Sequence, residues 1–298
     1  MGQSALLTLS ARYSQLNQRG EHPLPGLSVY RREAAGDIEA VVYDPVLCLI
    51  LQGSKTTSAG SQDVLLQPGD ALVVSHDMPV TSRITRASMS EPYTALIFSL
   101  DVAIVRGLYQ ELDAVPRAQQ QVLPLSAGRA ERAWVDPLTR YLELMESPRD
   151  QKVLGASLRR EIHYRLLLSD LGGMLARLMI ADSHASRVAR AIATIRNNFR
   201  APLSVTDLAR VAGMSVSSFH THFKSMTGTT PLQFQKDLRL IHARTQLVER
   251  AQSVAEVAHT VGYESATHFS RDYSRKFGRP PSRDALMTRA VGKEALPA

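Results

Sequence analysis

A short pattern occurs twice in the C-terminal part of the chain and limits what that part can fold into. Residues 211–228 are VAGMSVSSFHTHFKSMTG, and residues 260–278 are TVGYESATHFSRDYSRKFG. Each copy is typical of a short helix, a turn at glycine and a second helix with inward aromatic residues, so the repeat predicts two helix-turn-helix units. The aligned pairs are Gly213 and Gly262, Phe219 and Phe269, Phe223 and Tyr273, Gly228 and Gly278, and Pro231 and Pro281.

The outward side chains on the second helix of each unit are polar, whereas the inward ones are apolar. Hydroxyl, imidazole and guanidinium groups can hydrogen-bond to base edges and phosphates in a major groove. Because the outward residues differ between the two copies, the sequence predicts that the two helices read different bases. The candidates are Ser217, Ser218, His220, Thr221 and Lys224 in the first unit, and Thr267, His268, Ser270, Arg271 and Arg275 in the second.

The segment between the two units is typical of one continuous helix. Residues 231–251 contain no glycine, and no proline after Pro231, and they carry the apolar series Leu238, Ile241 and Val248. About twenty helical residues span about 30 Å, close to the roughly 34 Å of one DNA turn, so such a rod could hold both helices in successive grooves. The alternative is an ordinary helical bundle whose glycine-turn units only pack together.

The positive charge lies in the same part of the chain as the repeat. Residues 181–298 contain 17 Lys and Arg against 9 Asp and Glu, whereas residues 1–180 contain 18 against 19. A basic segment joined to a near-neutral one is typical of a polyanion-binding module attached to another domain. A basic surface that serves only solubility is the alternative.

The N-terminal part has a different pattern. From about residue 26 to 100, short β-rich segments such as IEAVVYD and YTALIFSL alternate with turn residues, which predicts a small antiparallel sandwich or barrel. Helical periodicity follows, with an apolar stripe that must be buried against the β-structure or against a second copy of the chain. The stripe comprises Leu154, Leu158, Ile162 and Leu166.

These patterns predict a two-domain α+β protein, with a cupin-like β-barrel and trailing helices followed by an all-α domain. The expected divisions are a helical lead-in (1–25), the β-barrel domain (26–180), a linker (181–187) and the double helix-turn-helix domain (188–290). One cysteine, no signal-peptide pattern and no run of about eighteen apolar residues favour a cytoplasmic protein without membrane segments.

Residues 187–286 resemble the DNA-binding domain of the AraC/XylS family of bacterial transcription regulators. The resemblance is carried by LARVAGMSVSSFHTHFKSMTGTTP and VAHTVGYESATHFSRDYSRKFGRPP. Tyr273, Ser274 and Asp284 depart from the usual family pattern. The resemblance implies base or phosphate contacts from Ser217, His220, Thr221, Thr267, Ser270 and Arg271.

The N-terminal part more weakly resembles the β-barrel sensing domain found in one branch of this family, through VLCLILQGSK, PGDALVVSHDMPVTSRI and YTALIFSLD. This resemblance implies a pocket for a small-molecule effector and a homodimer. The expected function is a sequence-specific transcription activator whose partners are double-stranded DNA and RNA polymerase. No cofactor is expected.

The alternative function is a metal-dependent or thiol-based enzyme on the barrel, fused to a DNA-binding module. A metal-dependent oxygenase needs two or three histidines and a carboxylate from neighbouring strands. Residues 1–180 contain only His22, His76 and His163, and no H-x-H pair, so no metal site is expected. His76 is expected to lie in a loop or at a strand end and to form local hydrogen bonds.

The single cysteine, Cys48, has two interpretations. A thiol in a sensing domain could react with electrophiles or oxidants, whereas a cysteine within an apolar strand is more often an inert core residue. A DNA-repair alkyltransferase would need a nucleophilic cysteine, usually with further cysteines for zinc, and one strand cysteine does not supply them. The sequence therefore predicts a regulator without enzymatic activity.

Overall fold

The computed structural model of the chain describes residues 3–18, 24–36, 38–112, 123–249 and 253–291. Within these residues, strands dominate the first part of the chain and helices the last. The structure confirms the predicted fold class of an antiparallel β-domain joined to a helical domain.

The β-domain contains two antiparallel sheets in its described residues. One sheet has the strand order β1-β8-β3-β6-β9, and the other has the order β2-β7-β4-β5. Side chains from both sheets share one apolar interior, so the sheets pack face to face. The strands are β1 (Leu27–Arg32), β2 (Glu39–Tyr43), β3 (Val46–Gln52), β4 (Ser54–Ala59), β5 (Gln62–Leu66), β6 (Asp70–Val74), β7 (Met78–Arg86), β8 (Tyr93–Ser99) and β9 (Ser126–Arg129).

Strand β3 shows why its sequence is a continuous apolar run. Cys48 and Ile50 face the interior between the sheets, whereas Leu47, Leu49 and Leu51 face the helices outside. Both faces of the strand are buried, so alternation with polar residues is absent. Strand β3 thereby connects the two apolar cores of the β-domain.

Helices cover the outer face of the five-stranded sheet. They are α1 (Gln3–Gln18), α2 (Val102–Glu111), α3 (Arg132–Glu143), α4 (Pro148–Leu168) and α5 (Gly173–Met179), with 3-10 turns at Leu144–Glu146 and Asp170–Gly172. Leu158, Ile162 and Leu166 of α4 pack in this core, so the predicted apolar stripe is buried largely within one chain. Its first member, Leu154, is 46% exposed.

The helical domain follows the order that the repeat predicts. It comprises α6 (His184–Asn197), α7 (Val205–Val211), α8 (Val216–Thr227), α9 (Pro231–Glu249), α10 (Val254–Thr260), α11 (Ala266–Phe277) and α12 (Pro281–Val291). Helix α6 begins inside the predicted linker, because the Ser183 hydroxyl accepts a hydrogen bond from the Ser186 amide and caps the helix. The last four residues of that segment are therefore helical, and the domain boundaries stay a prediction.

The two domains are in direct contact. Arg196 of α6 reaches the carboxylates of Asp44 and Asp77 at 2.5 and 2.6 Å. Arg244 of α9 donates to the Ile38 carbonyl at 2.6 Å. Contacts of this kind position the helical domain against β2 and the β6–β7 connection.

In the described part of the chain, no helix has both the length and the apolar composition that a membrane span requires.

Candidate nucleic-acid interface and the interior of the β-domain

The first helix-turn-helix unit consists of α7 and α8. Gly213 has φ +62° in the turn between them, and the Ser215 hydroxyl caps α8 by accepting from the Ser218 amide. Gly228 ends α8 with φ +71°, a left-handed conformation that favours glycine. The proline that begins α9, Pro231, follows shortly after this stop.

The second unit repeats this local chemistry in α10 and α11. Gly262 occupies the turn with φ +94°, Ser265 caps α11, and Gly278 ends it with φ +73°. Helices α8 and α11 are both 12 residues long. Because the caps and stops coincide, the alignment of the two copies is also an alignment of their structures.

The aromatic residues of the repeat form the core of each unit. Phe219 and Phe223 are fully buried with ring centroids 5.4 Å apart, and Phe269 and Tyr273 are equally buried at 5.5 Å. An i, i+4 aromatic pair on the inner face fixes which side of the helix faces outward. The predicted reading residues must therefore lie on the outer side.

The structure places most of the predicted DNA-contacting residues in solvent. Ser218 and Ser270 are half-buried. The Thr221 hydroxyl donates to the Ser217 carbonyl at 3.2 Å, an intrahelical bond that leaves its oxygen able to accept. The exposed members are Ser217, His220, Thr221, Lys224, Thr267, His268, Arg271 and Arg275.

The cations at this surface fall into two groups. Arg275 is paired with the buried carboxylate of Asp272, and Lys276 is paired with Asp237 at 2.8 Å. Among the described residues, no carboxylate pairs with Lys224 or Arg271, and both are exposed. These two side chains are therefore available to an anionic partner without breaking an internal ion pair.

Helix α9 holds the two units together. Its 19 residues span about 28 Å at about 1.5 Å per residue. Arg239, half-buried on this helix, donates to the carbonyls of Phe199, Arg200 and Ala201 and to that of Gly262 in the second turn. The sequence analysis did not single out Arg239, since no local pattern marks a side chain that bonds to distant carbonyls.

The two departures from the family pattern in the last helices are bonded to each other. The Tyr273 hydroxyl donates to the Asp284 carboxylate at 2.7 Å, and Arg244 pairs with the same carboxylate at 2.9 Å. Asp284 is 1% exposed, and a buried carboxylate needs such partners. The third departure, Ser274, donates to the Ser270 carbonyl at 2.8 Å.

The histidines of the β-domain have structural surroundings. His163 accepts from the Asp101 amide at 2.8 Å and donates to the Arg159 carbonyl at 2.7 Å, and burial lowers its pKa. His76, between β6 and β7, contacts the Ser75 hydroxyl, as the expected local hydrogen bond requires. His22 lies outside the described residues. In the ranges given above, no cluster of three or more His, Cys, Asp or Glu side chains could hold a metal ion.

A polar cluster that the sequence analysis missed lies between the two sheets. It consists of the side chains of Tyr43, Cys48, Lys55 and Tyr93, each at most 4% exposed. Only the alternation of β4, where Lys55 shares a face with Thr57 and Ala59, could have indicated that this lysine points inward.

Two family models match the chain. The model described as the AraC-type transcriptional regulator N-terminus matches residues 23–174, slightly more than half of the 298 residues. The model described as a helix-turn-helix domain matches residues 208–285. Their positions agree with the β-domain and with the repeated units.

Curated relatives and solved structures give a consistent result. The HTH-type transcriptional activator RhaS of Yersinia pestis bv. Antiqua (strain Angola) is 26% identical over 138 residues, which are 46% of this chain and 50% of RhaS. RhaS of Yersinia pseudotuberculosis serotype I (strain IP32953) matches over the same length with the same identity. The chain thus spans about half the length of the curated relatives it matches.

The structure of unsaturated fatty acid bound ToxT from Vibrio cholerae strain SCE256 covers 90% of this chain and 97% of ToxT, with a TM-score of 0.57 at 12% identity. At this identity the similarity shows a common fold. Since the model of the regulator N-terminus spans more than half of the chain and a helix-turn-helix domain follows it, the chain belongs to the AraC-type transcriptional regulators.

Proposed function

We propose that the protein regulates transcription by binding a specific double-stranded DNA site, with α8 and α11 in successive major grooves. The observation that carries this proposal is the pair of matched units on one helix, each with an exposed polar face. A length of about 28 Å for α9 is close to the roughly 34 Å between successive turns of DNA. Specificity then comes from two different sets of outward residues.

The candidate residues divide by their chemistry. Lys224, exposed and without a carboxylate partner among the described residues, suits a phosphate contact that adds affinity for any sequence. Arg271, equally exposed, has the bidentate geometry that recognises guanine. The serine, threonine and histidine side chains on both faces can hydrogen-bond to either kind of group.

The β-domain is proposed to bind a small-molecule effector and to influence how the helical domain meets DNA. The contacts of Arg196 and Arg244 across the domains support such coupling. RhaS is described as a transcriptional activator, and we propose activation for this chain by similarity. Contact with RNA polymerase and binding as a homodimer are further parts of the proposal. The divisions at 26–180 and 188–290 remain part of this proposal.

The test is selection of genomic DNA fragments with the full-length protein, followed by sequencing. A variant with Ser217→Ala and Arg271→Ala removes one outward residue from each unit. The matched control changes Ser157 and Arg149, exposed on α4, to alanine. We expect a two-part site, with halves about one turn apart, to be enriched by the wild type and the control and lost in the variant. Equal enrichment by all three proteins would contradict the proposal.

Arg271→Ala alone separates base reading from phosphate binding. If Arg271 contacts a base, we expect a loss of about 1–3 kcal/mol and a relaxed preference at one position of the site. The measurement is a binding titration against the selected site and its single-base variants, at several salt concentrations. A uniform loss on all sequences with a shallower salt dependence would instead identify a phosphate contact.

A further inference from the structure

The interior of the β-domain contains a lysine where an apolar residue is expected. Lys55 extends from β4 toward β3 and β8 and is 4% exposed. Its ammonium nitrogen lies 3.6 Å from the Cys48 sulfur and 6.0 Å from the centre of the Tyr93 ring. Lysine is almost never fully buried without a partner of opposite charge. The burial of Lys55 therefore points to a negatively charged partner.

The described residues supply no carboxylate to pair with the Lys55 ammonium. In the residues that the structure describes, no carboxylate forms an ion pair with Lys55. The thiol of Cys48 is only a weak hydrogen-bond acceptor, and the Tyr93 ring offers a weak electrostatic contact. Burying an ammonium costs several kcal/mol of desolvation, and within the described residues no carboxylate pairs with Lys55 to neutralise it.

Two tyrosine hydroxyls beside Lys55 also lack an acceptor in the part of the chain that the structure describes. Tyr43 and Tyr93 are 4% and 0% exposed, and neither hydroxyl donates its proton to an acceptor among the described residues. Both hydroxyls lie close enough to the lysine for their pKa values to respond to its charge. Buried hydroxyls are ordinarily bonded, so two of them left without partners around one cation indicate a missing acceptor.

The protonation states of Tyr43, Tyr93 and Lys55 make all three side chains hydrogen-bond donors. Burial raises the pKa of Tyr43 and of Tyr93, so both hydroxyls keep their protons at neutral pH. Burial opposes the charge on Lys55, but Cys48, Tyr43 and Tyr93 together raise the pKa of the lysine well above its ordinary value. The cluster thus presents one ammonium and two O–H donors.

We propose that this cluster binds the carboxylate of a small organic acid, held by the Lys55 ammonium and by the hydroxyls of Tyr43 and Tyr93. A carboxylate has about four acceptor sites, enough for all three donors, and it neutralises the lysine. The surrounding interior residues Ile50, Leu72 and Ile97 are apolar, so the rest of the ligand is apolar as well. The inference rests on the proposed function, since it assigns a chemical class to the effector.

The experiment measures binding to the full-length protein by thermal unfolding and calorimetry. The probes are acetate, butyrate, hexanoate and octanoate, each compared with its primary amide at equal ionic strength. We expect at least one carboxylate to raise the unfolding temperature and to bind at least about tenfold more tightly than its amide, because the amide lacks the charge. Equal responses to acid and amide, or no response to any acid, would overturn the proposal.

Variants test the individual groups. Lys55→Met should weaken carboxylate binding by at least about tenfold, whereas Lys152→Met, on the exposed side of α4, should leave it unchanged. Unchanged carboxylate affinity in Lys55→Met would overturn the proposal.

Tyr43→Phe and Tyr93→Phe remove one hydroxyl each with little change of shape, and each should weaken binding severalfold. Unchanged affinity in both would also count against the site.

DNA selection with the same preparations keeps the two hypotheses apart. A protein that selects DNA but distinguishes no acid from its amide would refute this inference alone. A protein that binds the acids but selects no DNA would refute the proposed function.

Discussion

Single residues show how this chain tolerates polar groups in its interior. Asp284 is buried with Arg244 and Tyr273 as partners, so its charge is both paired and hydrogen-bonded. His76 is buried, its Nε2 atom has no hydrogen-bond partner within the described residues, and burial lowers its pKa to about 4. The first arrangement gives a buried carboxyl group both a cation and a hydrogen-bond donor, whereas the second requires a neutral side chain.

The histidine makes stability depend on pH. In the unfolded chain His76 titrates near pH 6.5, and in the folded chain at about 4, so between these values the unfolded state binds more protons. Stability from this residue is therefore present above about pH 6.5 and is lost as the pH falls toward 4. For His76→Gln, we expect the drop in unfolding free energy between pH 7 and 5 to be smaller by about 2 kcal/mol. Urea unfolding at both pH values measures the difference, and an equal drop in the two proteins would contradict the assignment.

At the scale of elements, the two helix-turn-helix units differ in how tightly their glycines are enclosed. A Cβ atom on Gly262 would lie 2.2 Å from the Arg200 carbonyl oxygen, whereas one on Gly278 would meet nothing within 4 Å. Both glycines have positive φ, so alanine is strained at either position. Only the turn glycine has an additional steric requirement, because the α6–α7 connection packs against it.

The two glycines therefore form a matched pair of substitutions. Gly278→Ala should cost about 1–2 kcal/mol, the ordinary penalty for a left-handed alanine. Gly262→Ala should cost at least about 2 kcal/mol more, because the backbone of Arg200 must also move. Chemical unfolding of both variants beside the wild type measures the difference. If the two substitutions cost the same, the close approach at Gly262 does not constrain the fold.

At the scale of the whole molecule, the domains meet through polar contacts as well as apolar ones. Arg196 bridges Asp44 and Asp77, and the β4–β5 turn at Gly60 lies against Gly228 at the end of α8. A change in the β-domain can thus reach α8 through direct contact. This continuity supports the proposal that effector and DNA binding are coupled.

The Arg196 bridge predicts an effect on stability. Arg196→Met leaves Asp44 and Asp77 without their shared cation, so the full-length protein should lose up to about 1 kcal/mol, a value reduced by solvent because the arginine is 38% exposed. Arg190→Met, on the exposed face of the same helix, is the control and should have no effect. Unfolding at low and at high salt measures both variants. A loss that does not shrink at high salt would argue against an electrostatic origin.

The sequence by itself determined the features that depend on local chemistry. The serine caps, the glycine stops and the aromatic pairs at i and i+4 act within a few residues, so the repeat predicted α7–α8 and α10–α11 and their exposed faces. Short β-rich segments bounded by turn residues likewise indicated the strands of the β-domain. Only the tertiary structure decided which distant groups meet, because strand pairing and helix packing join residues far apart in the chain. Examples of such contacts are Lys55 beside Tyr93, and Asp284 between Tyr273 and Arg244.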